Sequence, residues 1–484
     1  MIKEILYIFQ SEHYDRIRFL RFIYTHLNWF GLAKRGNIDW TKRVVALFIL
    51  TFFFLISIFY FVLYAADIAL FIKIILLLFT IICIPLYLIV ADFILSPVVK
   101  FQKNKILQSA KKLLQTIRKN KQKNNYIFLT IGITGSYGKT TIKTILHSLL
   151  KEKYNVFLVP GNINTDLGVA NYLLKNTTEV KKSDIVLLEM GAFCIGEIAS
   201  ICNFIQPDYS FLTAIGNQHL ERFGSHKNIQ KAKFEIVEAT TKKAFINTSD
   251  SNIKNYLPKF ISLTKNILSK NLEIIQINTT NYSKNITQIQ YLEKFSGISL
   301  TYNYKKNNIK LETKLIADHI ISSLYFCLHI AEELELSEDN IISGIKKLDH
   351  VPHRLEVIKN KQTGVTVIDD SYNGNFDGFI SGLKTLSRAT GRKIVLTPGI
   401  VELGNDAKKI HKNLANIYPQ YIDVLLVILN KNTDYMLDCL RAKHTDENLI
   451  IITYKNVNDA HSDLANVLKK GDTILFQNDL SDNY

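Results

Sequence analysis

A run of 23 residues without a charged side chain, residues 44–66, limits what the chain can fold into more than any other feature. As an α-helix it would rise roughly 35 Å, enough to cross a hydrocarbon core of about 30 Å. A second apolar run, residues 74–91, contains Pro85, which a membrane helix tolerates as a kink. A buried helix of a soluble protein would be shorter, and a cleaved signal peptide would start earlier. The pattern therefore predicts a two-helix transmembrane hairpin over residues 44–97.

Positive charge is concentrated around this hairpin. The formal charge of the chain is +16, and residues 1–123 hold 18 Lys/Arg against 6 Asp/Glu. Because positively charged flanks stay in the cytoplasm, both termini and the rest of the chain are predicted to be cytoplasmic. The protein is therefore expected to be a multi-pass protein of the cell membrane. No nucleic-acid partner is expected, since the basic surplus already has an anionic partner in the lipid.

The two basic flanks have the spacing of amphipathic helices. Residues 1–43 include Trp29 and Trp40, which are suited to a membrane interface. In residues 98–123, apolar side chains recur at helical spacing beneath the lysines: Ile106, Leu107, Ala110, Leu113, Leu114 and Ile117. Both flanks are predicted to contact anionic lipid, with a solvated basic spacer as the alternative.

From residue 124 onward, strand and helix signals alternate. Apolar segments such as YIFLTIGIT and DIVLLEM are separated by helix-length stretches, which is typical of an α/β protein with a doubly wound, mostly parallel sheet. Within residues 273–315, the segments IIQINTT, QIQYLEK, ISLTYNY and IKLETKL are predicted as short antiparallel strands. We expect a central domain over residues 124–348 and a Rossmann-like C-terminal domain over residues 349–484. The five cysteines are scattered, which argues against a disulfide framework or a zinc site.

The segment GITGSYGKTT has the composition of a phosphate-binding loop between a strand and a helix. It departs from the usual G-x-x-x-x-G-K-[ST] pattern at Ile133, where a glycine is normal. Gly135 and Gly138 would let backbone N–H groups close around phosphate oxygens at the positive end of a helix. Lys139 can reach the terminal phosphates, and Thr140 can place its hydroxyl on Mg²⁺. A glycine-rich turn without a ligand is the alternative.

Together with the motifs that follow it, this loop resembles that of the Mur ligases, ATP-dependent amide-forming enzymes of peptidoglycan precursor synthesis. The matching segments are GNINTDLGVA (161–170), LEMGAFCIGEI (188–198), AIGNQHLERFGSHKNIQKAKFEI (214–236), HRLEV (353–357), IDDSYNGN (368–375) and ELG (402–404) with the later His411. They are most similar to the branch that adds D-alanyl-D-alanine. The resemblance implies a P-loop central domain, ATP and two Mg²⁺ ions. A muropeptide carboxylate would be activated as an acyl phosphate and joined to D-alanyl-D-alanine or a similar amine.

The resemblance also implies roles for individual residues. It assigns nucleotide binding to Gly135, Ser136, Gly138, Lys139, Thr140, Thr141, Arg354 and Asp370. The metal ligands it implies are Thr140, Glu189, His219 and Lys233, with Lys233 converted to a carbamate. The substrate contacts it implies are Asn162, Thr165, Tyr372 and Asn373. The catalytic residues it implies are Lys139, His219, Lys233 and Arg354.

By sequence alone, several of these residues have ordinary structural alternatives. Glu189 could be a solvated carboxylate after a strand, and His219 could be a structural histidine. Lys233 would be a surface lysine on a helix. The DSYNGN segment that begins at Asp370 could be a polar turn after a strand.

Three features depart from the family pattern. The hairpin stands where the family has a domain that binds the UDP-sugar end of the substrate. His319 matches the family, but Ile320 and Ser323 occupy positions where asparagines near the nucleotide base are usual. The C-terminal FQNDLSDNY lacks the basic segment expected near the dipeptide. Three hypotheses follow: a membrane ligase acting on a lipid-linked or UDP-linked muropeptide, a Mur-type ligase with a different amino-acid or polymer substrate, and a non-catalytic nucleotide-binding scaffold at the bacterial cytoplasmic membrane.

Overall fold

The computed structural model describes residues 2–12, 14–25, 38–64, 69–216, 220–266, 268–269, 271–372, 374, 376–400, 403, 406–443 and 449–477. The chain divides into two compact units, one ending at Ile106 and the other beginning at Leu107. Two predicted site residues, His219 and Asn373, lie outside the described residues, as does most of the FQNDLSDNY segment.

The first unit is helical. Its helices are α1 (Ile2–Ser11), α2 (Arg16–Thr25), α3 (Lys42–Tyr64), α4 (Leu70–Ile82) and the first part of α5 (Ile84–Lys123). Two of them, α3 and α5, are long and apolar enough to cross a membrane, with mean hydropathies of 2.7 and 1.8 over their most apolar stretches. The shorter α4 is also apolar.

The second apolar run is helical and is interrupted at one residue, two positions before Pro85. Helix α4 ends at Ile82, Cys83 forms a turn, and α5 starts at Ile84. Pro85 explains the restart, because proline lacks a backbone N–H and is accepted in the first turn of a helix, where that group has no intrahelical partner.

The predicted amphipathic segment at the N-terminus folds onto the hairpin. Helices α1 and α2 share a hydrophobic core with the first turns of α3 and α5, formed by Ile5, Leu6, Ile8, Phe9, Phe19, Ile38, Val44, Leu47, Ile84, Leu88 and Ala91. Beside this core, the buried Asp92 pairs with Arg16 at 2.8 Å and with Arg43 at 2.7 Å. These apolar side chains therefore contact protein where lipid was predicted. Trp40 is half exposed, and Trp29 lies outside the described residues.

The predicted basic helix over residues 98–123 is present as the continuation of α5, with Pro97 inside it. Its apolar stripe was predicted to contact lipid, but Ala110, Leu114 and Ile117 are buried within the protein. Two cations of the last turns, Arg118 and Lys121, make ion pairs within the second unit. Residues 107–123 of α5 are therefore part of the second unit, in which their apolar face and part of their charge find protein partners.

The middle region, as we call residues 124–348, is built on a six-stranded parallel sheet. Its first strands and helices are β1 (Leu129–Thr134), α6 (Lys139–Leu150), β2 (Val156–Leu158), α7 (Asp166–Lys175), α8 (Thr177–Lys182), β3 (Ile185–Glu189), α9 (Glu197–Ile205) and β4 (Tyr209–Leu212). They continue with α10 (Leu220–Phe223), α11 (His226–Ala239), β5 (Lys243–Asn247), α12 (Ser251–Thr264) and β6 (Glu273–Ile277). The strand order is β2-β3-β1-β4-β5-β6. The predicted doubly wound parallel sheet is confirmed, and its order places β1 between β3 and β4.

A three-stranded antiparallel sheet follows, made of β7 (Ile286–Leu292), β8 (Gly297–Tyr304) and β9 (Asn307–Thr313). The prediction that IIQINTT belongs to this antiparallel group is wrong, since β6 pairs in parallel with β5. As an edge strand, β6 keeps mostly half-buried and exposed side chains, so its sequence lacks the continuous apolar run of a central parallel strand. Helices α13 (Asp318–Glu333) and α14 (Glu338–Lys346) complete the middle region.

The C-terminal region, residues 349–484, contains a second six-stranded sheet. Its described elements are β10 (Glu356–Lys359), β11 (Thr366–Asp370), α15 (Phe376–Leu386), β12 (Lys393–Thr397), α16 (Ala407–Ile417), β13 (Val424–Ile428), α17 (Lys431–Lys443), β14 (Ile450–Tyr454), α18 (Val457–Val467) and β15 (Thr473–Gln477). The strand order is β10-β11-β15-β12-β13-β14, parallel except for β10. The Rossmann-like prediction is confirmed, and one hydrophobic core runs through both regions.

Candidate active site

The predicted phosphate loop lies between the carboxyl end of β1 and the first turn of α6. Gly138 has φ of +81°, a left-handed conformation that favours glycine. A Cβ atom on Gly135 would collide with the hydroxyl of Thr213. The backbone N–H of Ser136 donates to the carbonyl oxygen of Ala214 at 2.8 Å, which fixes the loop against the segment after β4. Both glycines are therefore required by local geometry, independently of any ligand.

Lys139 lies over this loop. Its ammonium donates to the carbonyl oxygen of Gly135 at 2.7 Å. Burial lowers the pKa of Lys139 to about 8. The negative charge of Glu189 opposes this shift, and the positive charge of Arg354 adds to it. An anion that reaches the loop meets a poorly hydrated cation, so their attraction is stronger than at an open surface.

Glu189 ends β3 beside the same loop and is buried. The hydroxyl of Thr140 donates to its Oε2 at 3.3 Å, so two oxygen atoms of the kind that Mg²⁺ prefers are adjacent. Its Oε1 lies 2.9 Å from the ammonium of Lys143, one turn further along α6. The alternative of a solvated carboxylate at Glu189 is therefore wrong, because both of its oxygens have protein neighbours.

Lys233 is buried at 4 % exposure on α11, which packs against α9 and β4. The surface position inferred from sequence alone is wrong, because the helix turns this face inward together with Ile229 and Ile236. Burial lowers the pKa of Lys233 to about 7, and the positive charge of Lys139 adds to the shift. The amine is therefore substantially neutral near physiological pH and able to act as a nucleophile.

Arg354 lies in the segment before β10, with its guanidinium carbon 4.7 Å from the centre of the Tyr372 ring. Its two neighbours have left-handed backbones, with φ of +59° at His353 and +49° at Leu355. The imidazole Nδ1 of His353 lies 2.8 Å from Asp369, and its carbonyl oxygen accepts from Tyr372. Arg354 thus lies in a segment with a strained backbone, which the contacts of His353 with Asp369 and Tyr372 hold in place.

Asp370 ends β11 next to this segment. Burial raises the pKa of its carboxyl to about 7, although the charge of Arg354 and a hydrogen bond from the Leu355 backbone N–H oppose the shift. Such a carboxyl switches between hydrogen-bond donor and acceptor near neutral pH.

A cleft of about 260 Å³ opens between the middle and C-terminal regions. The predicted residues on its wall are Gly138, Thr141, Arg354, Asp370 and Tyr372. Its apolar wall includes Ile142, Leu315, Ala317 and Phe326, and the two unusual positions Ile320 and Ser323 lie there too. Across the cleft, Nδ1 of His319 lies 2.9 Å from the hydroxyl of Ser381. The phosphate loop, an apolar surface and an acid therefore meet in one space, as a nucleotide requires.

Two predicted substrate contacts have a less specific setting. Asn162 is exposed in the turn before α7. The hydroxyl of Thr165 caps α7 by accepting from the backbone N–H of Gly168 at 3.3 Å. Their substrate roles stay predictions, as do the catalytic and metal-binding roles of His219 and the substrate role of Asn373.

Comparison with known proteins adds an independent observation. The model of the Mur ligase middle domain matches residues 133–331, and that of the Mur ligase glutamate ligase domain matches residues 353–477. Together they match about two thirds of the chain. The chain belongs to the Mur ligase family. As a Mur ligase, it carries the family's middle and C-terminal domains behind a helical unit that neither model matches.

Several relatives of this Mur ligase are UDP-N-acetylmuramoyl-tripeptide--D-alanyl-D-alanine ligases. That of Buchnera aphidicola (strain APS) is 29% identical over 286 residues, which are 59% of this chain and 61% of the relative. That of Escherichia coli K12 is 26% identical over 282 residues, 58% of this chain and 60% of the relative. The matched part thus spans about three fifths of the length of these relatives.

Solved structures show the same fold. The MurF ligase of Thermotoga maritima, solved with ADP, has a TM-score of 0.63 and 24% identity, covering 79% of this chain and 81% of its own. A MurF of Acinetobacter baumannii has a TM-score of 0.64 and 21% identity, covering 78% and 77%. A type C pseudomurein peptide ligase of Methanothermus fervidus has a TM-score of 0.51 and 18% identity, covering 73% and 76%.

Sequence reasoning about this Mur ligase missed two side chains at the site. Lys143 follows Thr140 by three positions on α6, so the two share one helix face. This spacing in the sequence could have identified Lys143 as a neighbour of the predicted metal ligand Thr140. His353 precedes Arg354 in the HRLEV motif, but its pairing with Asp369 depends on the antiparallel contact between β10 and β11.

Proposed function

We propose that the protein is an ATP-dependent amide ligase of the MurF type in peptidoglycan precursor synthesis. The observation that carries this proposal is that the phosphate loop and its helix, through Gly138 and Thr141, line the same cleft as Arg354 and Asp370. Beside this loop, Thr140 contacts Glu189, and Lys139 is close enough to Arg354 for the two charges to interact. The named relatives act on a UDP-muramoyl-tripeptide and D-alanyl-D-alanine, and we assign a muropeptide carboxylate and this dipeptide, or a similar amine, as substrates.

The first step is carboxylate activation. A carboxylate oxygen of the muropeptide attacks the γ-phosphorus of ATP, the bond to the bridging oxygen breaks, and ADP leaves with that electron pair. Lys139 and Arg354 stabilise the negative charge on the transferred group. Thr140 and Glu189 fit Mg²⁺ as adjacent oxygen ligands, and the ion supplies further charge neutralisation when bound.

The second step forms the amide. The free amine attacks the carbonyl carbon of the acyl phosphate, the carbon–oxygen bond to phosphate breaks, and the amine loses a proton. The acyl phosphate would be hydrolysed by water that reached it first. The cleft is lined by residues of both the middle and the C-terminal regions. A movement of the two regions towards each other would therefore exclude water from the acyl phosphate.

We further propose that Lys233 is carbamylated. Its neutral amine attacks the carbon of CO₂ and releases one proton, which leaves an anionic carbamate with two oxygens. Burial and the pKa of about 7 support this reaction, because a protonated surface lysine is a poor nucleophile. The carbamate would provide oxygen ligands for a second Mg²⁺ ion, together with His219 as the family resemblance implies.

We also propose that the first unit anchors the ligase in the bacterial cytoplasmic membrane as a helical hairpin. Arg43, at the start of α3, pairs with Asp92 on α5. This ion pair places one polar end of each apolar segment at the same height along the two helices. From Asp92 back to Leu70, α4 and the first turns of α5 rise about 33 Å, comparable with about 35 Å for α3. At the other end, Lys73 donates to the carbonyl oxygen of Leu63 at 3.0 Å. The second crossing would thus be a helix broken at Cys83.

One experiment tests the ligase activity. Full-length protein in detergent is given ATP, Mg²⁺, bicarbonate, D-alanyl-D-alanine and either a UDP-linked or a lipid-linked muropeptide, and ADP and the amide product are measured. We expect both products with the wild type and at least about 100-fold slower formation of both with Lys139→Met, whereas Lys151→Met on the exposed end of α6 stays active. Product from the UDP-linked acceptor alone would reject a lipid-linked substrate. No ADP with any acceptor would favour a non-catalytic scaffold, and product with another amine would identify a different Mur-type ligase.

A second experiment tests the hairpin. In a variant without native cysteines, a single cysteine at Ala69 or at Gln115 is treated with a membrane-impermeant maleimide in cells whose cytoplasmic membrane is intact. We expect labelling at position 69 only. Labelling at both positions, or at neither, contradicts the hairpin.

A further inference from the structure

The strongest unassigned feature lies beneath the proposed metal site. Lys143 and Glu189 form an ion pair at 2.9 Å, with side-chain exposures of 6% and 3%. The ammonium also lies 3.4 Å from the carbonyl oxygen of Val159. A Cβ atom on Gly161 would lie 2.9 Å from both the ammonium and the carboxylate oxygen, so a larger side chain at position 161 would displace the pair from its present geometry.

This ion pair changes what Glu189 offers to a cation. The Oε2 that faces Thr140 belongs to a carboxylate whose charge is already balanced by Lys143 through Oε1. Lys139 and Arg354 add further positive charge, and each acts on the other electrostatically. Asp250 and Asp377 act on Tyr137 of the same loop, so the excess of positive charge among the described residues is local to Glu189, which faces Lys143 directly and Lys139 electrostatically. A lone divalent cation is repelled there, and the phosphates of a nucleotide reverse that balance.

We propose that Lys143 is a positioning residue that prevents Glu189 from binding free Mg²⁺ and lets it bind a Mg²⁺ ion that arrives together with a nucleotide. This inference rests on the proposed function, because it takes Glu189 as the metal-binding carboxylate. Lys143 holds the carboxylate in one orientation and weakens its affinity for free Mg²⁺. When nucleotide phosphates occupy the loop, their charge compensates both lysines, and the site binds the cation.

The test measures Mg²⁺ binding without turnover. Full-length protein in detergent, depleted of CO₂ so that Lys233 stays an amine, is titrated with Mg²⁺ alone and then with Mg²⁺ and ADP, by calorimetry and thermal melting. We expect Lys143→Met to bind Mg²⁺ alone at least about tenfold more tightly than the wild type. Lys143→Arg, which keeps the charge, should behave like the wild type. Lys143→Met combined with Glu189→Gln should lose the gain.

Two results would overturn the inference. One is equal affinity of the wild type and Lys143→Met for Mg²⁺ alone, which would make the ion pair merely structural. The other is tight Mg²⁺ binding by the double variant, which would place the ion elsewhere. If Lys143→Met fails to fold, Lys143→Gln, which keeps a polar group near the carbonyl of Val159, takes its place. These binding measurements involve no ligation, so the two hypotheses can fail separately. If only the proposed function is wrong, the ligase assay gives no amide product but the differences in Mg²⁺ affinity remain.

Discussion

Arg388 donates a hydrogen bond of 2.8 Å to the carbonyl oxygen of Ile316. Arg388 follows α15 in the C-terminal region, whereas Ile316 belongs to the cleft wall of the middle region. The guanidinium also pairs with Asp318 at 3.4 Å and lies 4.0 Å from the centre of the Tyr291 ring. One side chain of the C-terminal region therefore contacts a segment of the middle region that forms a wall of the proposed nucleotide site.

Replacing Arg388 with alanine should raise the KM for ATP several-fold, because this contact between the two regions is lost. The free energy of unfolding should fall by about 1–3 kcal/mol through loss of a charged hydrogen bond. Steady-state kinetics and denaturant unfolding measure the two effects. Arg392→Ala is the matched control, since Arg392 pairs with Asp472 inside the C-terminal region. It should reduce stability and leave the KM unchanged; an equal rise in KM for both variants would contradict a specific role for Arg388.

Replacing Lys139 with methionine should lower the rate of ADP formation by about 100-fold to 1,000-fold, as for other removed charge-stabilising groups. The fold should be kept, because the described hydrogen bonds of this side chain go only to its own loop. Circular dichroism checks the fold, and coupled detection of ADP measures the rate. Retention of more than about a tenth of the activity would contradict its role on the phosphates.

The activity should depend on CO₂ more strongly at acid than at neutral pH. With a pKa of about 7, Lys233 is neutral in about a tenth of molecules at pH 6 and in about nine tenths at pH 8. Half-maximal activity should therefore need at least about tenfold more dissolved CO₂ at pH 6 than at pH 8. Carbon-13-labelled bicarbonate should give a carbamate NMR signal that Lys233→Met lacks. Full activity in CO₂-free buffer would reject carbamylation.

Apparent affinity for ATP should weaken as the pH rises above neutrality. A hydrogen bond to Asp369 raises the pKa of His353, so the folded protein binds the imidazole proton more tightly than the unfolded chain. The resulting stabilisation is complete below about pH 6.5 and is lost as the pH rises through the higher pKa of the folded state. Arg354, which this segment holds, then becomes less well ordered.

His353→Gln should remove this pH dependence while keeping catalysis, and the KM for ATP measured across pH values tests it. Arg354→Lys serves as a comparison. It should lower the rate at every pH, because lysine cannot reproduce the planar guanidinium over Tyr372. An unchanged pH profile in His353→Gln would show that the pair does not order Arg354.

The phosphate loop and the strand order around it could be predicted because their signals are local. Glycines at a strand–helix turn and apolar runs of strand length need little tertiary information. Lys233 could not be placed this way, since its burial arises from the packing of α11 on α9. The edge strand β6 was misassigned because exposure at a sheet edge weakens the parallel pattern. Likewise, the stripe on α5 showed that a partner was needed but not whether that partner was lipid or protein.

The way α5 attaches has a practical consequence. Arg118 and Lys121 bind Asp208 and Asp184 at the amino ends of β4 and β3, whereas Glu189 stands at a carboxyl end. In a parallel sheet these edges are about one strand length apart, roughly 17 Å for five residues. Residues 107–123 therefore attach to the sheet at the edge opposite the one that carries Glu189. An affinity tag or an immobilisation surface attached through this part of α5 would therefore be held away from the carboxyl edge of the sheet, where the phosphate loop lies.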